Sequence, residues 1–67
     1  MDKIKITLKA ARVNAGKSQK DAADFLKVST ETIKNYEKGK TMPDINQVIR
    51  LSEFYGFPYD NIIFFKS

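Results

Sequence analysis

Sixty-seven residues are enough for one small domain and leave no room for a catalytic domain beside it. With 42% hydrophobic and 30% charged residues the chain has the balance of a folded domain, and its net charge of +4 favours a polyanionic partner. It has neither Cys nor His, which excludes disulfides, thiol chemistry, zinc fingers and histidine acid–base catalysis, so no cofactor and no metal is expected.

Lys3 to Ile6 alternate charged and apolar, a period of two that suits a short strand with Ile4 and Ile6 inward. Thr7 can cap a first helix, on which Leu8, Ala11, Arg12 and Ala15 share one face before Gly16 ends it. Arg12 falls on that apolar face and needs an acid, since an unpaired buried guanidinium costs several kcal/mol. Ser18 is a cap for a second helix whose apolar stripe is Ala22, Ala23, Phe25 and Leu26, and which hardly passes Lys27. After apolar Val28, Ser29 offers another cap and opens STETIKNYEKG, with Ile33 and Tyr36 inward and Gly39 as the stop. Thr30, Glu31, Thr32, Lys34, Asn35 and Lys38 are left on its polar outer face.

Lys40 to Pro43 form a loop, Pro43 bars helix continuation and Asp44 caps the next helix. That helix is expected to place Ile45, Val48, Ile49, Leu51, Ser52 and Tyr55 on a broad inner face up to Gly56, with Phe54 and Tyr55 as core or interface residues rather than a base-stacking platform. Beyond Pro58, the apolar run Ile62 to Phe65 needs a covering surface. Two uses are open: a strand paired with Lys3 to Ile6, or a symmetric dimer contact. No apolar run approaches the roughly 18 residues that span a bilayer, and the first residues lack a signal-peptide core, so a cytoplasmic protein is expected.

Two short helices joined by about three residues, the second polar outward, have the geometry that lays a helix in the DNA major groove. Geometry alone favours an ordinary helical hairpin; the residue types do not. Gln19, Ala23, Leu26, Val28, Ser29, Ile33, Tyr36-Glu37-Lys38-Gly39-Lys40 and Pro43-Asp44 resemble the signature of Cro/repressor-type helix-turn-helix regulators, the XRE family, and the likeness runs from about Leu8 to Ile63. It implies an all-α, five-helix repressor-like DNA-binding domain over residues 1–67, with the helix-turn-helix at about 18–38, a short fifth helix around Asp60 to Ile63, and room for a strand pair at the termini. By the same resemblance the bases meet Thr30, Glu31 and Asn35, while Gln19, Ser29, Thr32, Lys34, Lys38 and Lys40 meet the DNA backbone. The same resemblance implies that Arg12 and Glu37 form a structural ion pair. The family usually has Gly where Lys27 stands, because the turn there needs a left-handed backbone.

The implied function is sequence-specific binding of double-stranded DNA by a repressor or Cro-like switch of a prophage or similar mobile element, on a palindromic operator, with a homodimer through the C-terminal end as an option. The alternative is a protein-interaction module on the same fold, such as an antitoxin component. Against it, the third helix exposes Thr, Glu, Lys and Asn rather than aromatic or aliphatic anchors. An enzyme is not expected: Asp21 and Asp24 read as solvated helix charges, no nucleophile accompanies them, and phosphate-loop and dinucleotide motifs are absent.

Overall fold

The structure, a computed structural model, describes residues 5–63. Thr7, Ser18, Ser29 and Asp44 stand in extended conformation ahead of four α-helices, α1 (Leu8–Asn14), α2 (Gln19–Leu26), α3 (Thr30–Lys38) and α4 (Ile45–Tyr55). Each of these caps accepts a hydrogen bond from the backbone N–H three residues on, pairing a donor that the first helical turn leaves open, at a gain of about 1 kcal/mol. At Ser18 and Asp44 the arrangement is reciprocal: their own N–H groups donate to Asp21 Oδ2 at 2.8 Å and to Gln47 Oε1 at 3.3 Å.

The helix stops are left-handed. Lys27, at φ 61° and ψ 45°, closes α2, and Val28 N–H donates back to the Ala23 carbonyl at 3.0 Å. Gly39, at φ 79°, closes α3 in the same manner through Lys40 N–H to the Asn35 carbonyl at 2.9 Å. Lys27 is the only non-glycine with positive φ among the described residues.

Ala22 and Ala23 are fully enclosed, and their small side chains bring α2 close to its neighbours; Leu8, Ile33 and Leu51 are the large side chains at the centre of the core. Phe25 of α2 stacks on Phe54 of α4 with centroids 4.2 Å apart and planes 9° from parallel, fastening the two helices. Lys17 Nζ lies 4.8 Å from the Phe54 centroid and the Arg50 guanidinium 5.2 Å from that of Phe25, one cation at each outer ring face. Phe54 and Tyr55 are thus packing residues.

Two features differ from the sequence expectation. On α4, Val48, Leu51, Ser52 and Tyr55 are buried, but Ile45 and Ile49 are 61% and 37% exposed. At 3.6 residues per turn a buried stripe through 48, 51, 52 and 55 leaves 45 and 49 on its margin. The fifth helix is one 3₁₀ turn, Tyr59–Asn61, because Ile62 is already extended (φ −108°, ψ 134°) and its backbone enters a ladder. That ladder is a parallel pair, β1 (Ile6–Thr7) with β2 (Ile62–Ile63), in the register Ile6↔Ile62 and Thr7↔Ile63. Of the strand residues expected from the sequence, Ile4, Phe64 and Phe65 lie outside the described residues. Ile62 itself is buried in the core and Ile6 packs against it. Among the described residues no helix is long and apolar enough to cross a membrane.

Candidate nucleic-acid interface

Lys27, Val28 and Ser29 make the turn between α2 and α3. The left-handed Lys27 reverses the chain, half-buried Val28 packs on the core, and Ser29 starts the next helix by accepting from Thr32 N–H at 3.1 Å. Burial of Ile33 and Tyr36 then fixes which way α3 faces: Thr30, Glu31, Lys34 and Lys38 are exposed, and Thr32 and Asn35 are half-buried at the edges. At 3.6 residues per turn Glu31 lies between Thr30 and Asn35, so these three form a band across the exposed face. Asn35 Oδ1 is buried without a hydrogen bond, so a two-bond contact of its amide with a base requires the side chain to turn outward. Ser29 Oγ and Thr32 Oγ1 are 2.9 Å apart; one donates to the other, which leaves one hydroxyl hydrogen free at the N-terminus of α3.

The other end of α3 is anchored by Glu37. Arg12 Nε donates to Glu37 Oε2 at 2.6 Å and Nη2 to Oε1 at 3.4 Å, while Nη1 donates to the Lys17 carbonyl at 2.9 Å. The two side chains are 11% and 4% exposed, so the charges are paired and withdrawn from water, tying α3 to α1 and to the loop before α2. Gln19 Nε2 donates to the same carboxylate, 3.0 Å from Oε1. Gln19, nominated for the DNA backbone, therefore commits one N–H to Glu37 and keeps the other N–H and its carbonyl. Beside this cluster the Tyr55 hydroxyl is buried without a hydrogen bond; burial, reinforced by the negative charge of Glu37, pushes its pKa up to about 12. Tyr36 Oη donates to Gln47 Oε1 at 2.7 Å and so joins α3 to the capped start of α4.

A surface cleft runs along the flank of α3 that faces α1 and the start of α2, lined by Lys9, Gln19, Lys34, Glu37 and Lys38. Lys40 is exposed just beyond α3. Lys9 is absent from the residues nominated by sequence. The available signal was its place three residues before Arg12, which puts it on the side of α1 that turns toward α3. Among the described residues no group of three His, Cys, Asp or Glu side chains could hold a metal ion. What the surface offers is hydrogen-bonding side chains on a rigid helix, bordered by cations.

A helix-turn-helix family model matches residues 8–62. Two curated relatives from Bacillus subtilis (strain 168) are each 36% identical over 56 residues, or 84% of this chain. One is the HTH-type transcriptional regulator ImmR, of which the match covers 44%; the other is the SPbeta prophage-derived uncharacterized HTH-type transcriptional regulator YonR, covered to 52%. The chain spans about half the length of the curated relatives it matches.

Proposed function

The chain belongs to the XRE-type helix-turn-helix family, and from that membership we propose that it binds double-stranded DNA sequence-specifically, as the DNA-binding domain of a repressor or Cro-like transcriptional regulator. The observation that carries this reading is the outward face of α3, which holds short polar and basic side chains while its last turn is tied through Glu37 and Tyr36 to α1, α2 and α4 and Ile33 is buried in the core. A helix that inserts into a groove must keep its orientation while its side chains exchange water for base edges, and the anchors at Glu37 and Tyr36 supply that. The domain covers residues 1–67, with residues 18–38 as the unit that enters the major groove.

Roles follow from chemistry and position. Thr30 meets a thymine methyl or a base edge, Glu31 accepts from a cytosine amino group, and Asn35, once turned outward, bonds an adenine edge. Ser29 and Thr32 donate their remaining hydroxyl hydrogen to a phosphate at the N-terminus of α3, where the backbone dipoles favour an anion. Gln19, Lys34, Lys38 and Lys40 meet other phosphates. The name of YonR places that relative in a prophage; a similar mobile-element setting is the one we assign here.

The reading extends to a homodimer on a palindromic operator, joined through the C-terminal end, where Tyr59 and Ile63 are 49% and 43% exposed. Selection of bound sites from a random duplex library tests both levels. One enriched motif with dyad symmetry is expected. Enrichment without symmetry would remove the dimer, and no enrichment at all would remove the DNA-binding reading in favour of a protein-interaction module.

A further inference from the structure

Lys9, on α1 and outside the helix-turn-helix, lines the same cleft as Gln19, Lys34 and Lys38. We propose that this cleft is a composite seat for one phosphodiester of the DNA backbone, and that Lys9 is a phosphate-binding residue of the domain. The inference rests on the DNA-binding reading above and adds to it a contact from a third helix.

Three observations support it. First, the one acid in the cleft is already engaged: Glu37 accepts two bonds from Arg12 and one from Gln19, so its charge is neutralised from below. The cleft then presents three ammonium groups against no free carboxylate, because Lys9, Lys34 and Lys38 make no ion pair among the described residues. Second, the bond from Gln19 to Glu37 fixes its amide at the cleft wall with one N–H still to give, so a directed donor sits among the cations. Third, the position suits a sugar-phosphate ridge. An α-helix with its side chains is about 10–12 Å across and the major groove about 12 Å wide, so a helix lying in the groove fills it and its flanks abut the phosphates. The cleft occupies the flank of α3 on the α1 side, with Lys9 contributed by α1 and Lys34 and Lys38 by α3. Lysine suits such a seat as a point charge that needs no fixed approach angle.

The test is a salt titration of binding to a fluorescein-labelled duplex of arbitrary sequence, with wild type, Lys9→Ala, Lys9→Arg and Lys20→Ala. Lys20 lies outside the cleft and pairs with Asp24 at 3.2 Å, so its loss lowers the net charge equally without touching the seat. Expected is a drop of about 0.9 in the slope of log K against log salt for Lys9→Ala, one phosphate's worth, with affinity lowered on the order of tenfold for every duplex. Lys9→Arg should keep the wild-type slope and Lys20→Ala should stay within error of it. Lys9 is an exposed helix residue, and matching thermal midpoints will show that the variants are folded. If Lys9→Ala keeps the wild-type slope, or falls no further than Lys20→Ala, Lys9 meets no phosphate although the domain binds DNA. If the wild type binds neither this duplex nor any selected one, the DNA-binding reading goes, and the seat with it.

Discussion

Lys27 shows how far a single backbone angle can be weighed. A side chain with a Cβ in the left-handed region costs roughly 1 kcal/mol, which glycine avoids, less what glycine loses in extra freedom when unfolded. Since Lys27 is exposed and makes no ion pair among the described residues, Lys27→Gly should raise the urea midpoint by an amount equivalent to about 0.5–1 kcal/mol, with an unchanged m-value. Tyr55 is a second such case. Its buried hydroxyl lacks a hydrogen bond, so Tyr55→Phe should be neutral or slightly stabilising at pH 7. At high pH the sign is set by proton uptake: the unfolded phenol loses its proton near 10.0 while the folded one holds it to about 12, so unfolding releases a proton in that window. Wild type should lose stability relative to Tyr55→Phe between pH 10 and 12, by at most about 1.4 kcal/mol per pH unit, and below pH 9 the difference measured by urea unfolding should level off at its pH 7 value. On the DNA side, Asn35→Ala should cost about 1–3 kcal/mol on the preferred site only, whereas Lys38→Ala should weaken all duplexes alike. Equal specific-to-nonspecific ratios for wild type, Asn35→Ala and Thr30→Ala would show that α3 does not read bases.

At the scale of elements, α3 is held by partners distant in sequence. Arg12, Gln19 and Gln47 come from α1, α2 and α4, and they bond to Glu37 or Tyr36 within 2.6–3.4 Å. The Arg12–Glu37 pair carries the larger energy because removing one member strands a charge that is already out of water. Glu37→Ala and Arg12→Met should each lower stability by about 3 kcal/mol, while the double variant Arg12→Met/Glu37→Met should recover much of that loss. Urea denaturation of the three variants decides the matter: negligible shifts in both single variants would mean that water screens the pair. Partial loss of α3 anchoring should also appear as weaker specific binding in Glu37→Ala at temperatures where it is still folded.

Across the whole molecule, β1 and β2 bring residues 6–7 beside residues 62–63, so the two ends of the described chain share one small ladder. A two-residue parallel pair is not stable alone and depends on the helical core beneath it. Ile62, buried in that core, and Ile63, 43% exposed, separate its two uses. Ile62→Ala should cost about 2–4 kcal/mol of monomer stability. Ile63→Lys should leave the urea midpoint within about 0.5 kcal/mol and instead reduce self-association in sedimentation if the C-terminal end forms the dimer contact. An unchanged sedimentation profile, with wild type dimeric, would move the dimer contact elsewhere.

What could be read from the sequence of this protein was what the chain decides within about four residues or by composition. The caps at Thr7, Ser18, Ser29 and Asp44 and the stops at Gly16, Gly39 and Gly56 are local bonds and local dihedral preferences, so the helices they bound were legible, as was the polar outer face of α3. The apolar position of Arg12 called for an acid, but only the family resemblance pointed to Glu37. Tertiary packing alone decided the rest. Ile45 and Ile49 carry the same side chain as buried Ile33, yet they stay exposed because no other element among the described residues covers that margin of α4. The short fifth helix that the family resemblance implied around Asp60 to Ile63 gave way to a 3₁₀ turn and a strand because β1 supplied backbone partners and the core accepted Ile62. Gln19 bonding Glu37, the buried Asn35 carbonyl and the approach of Lys9 to Lys34 and Lys38 likewise depend on where three helices come to rest. A side chain's type and spacing set what it can do, but a contact between distant segments exists only once the core has fixed the distance between them.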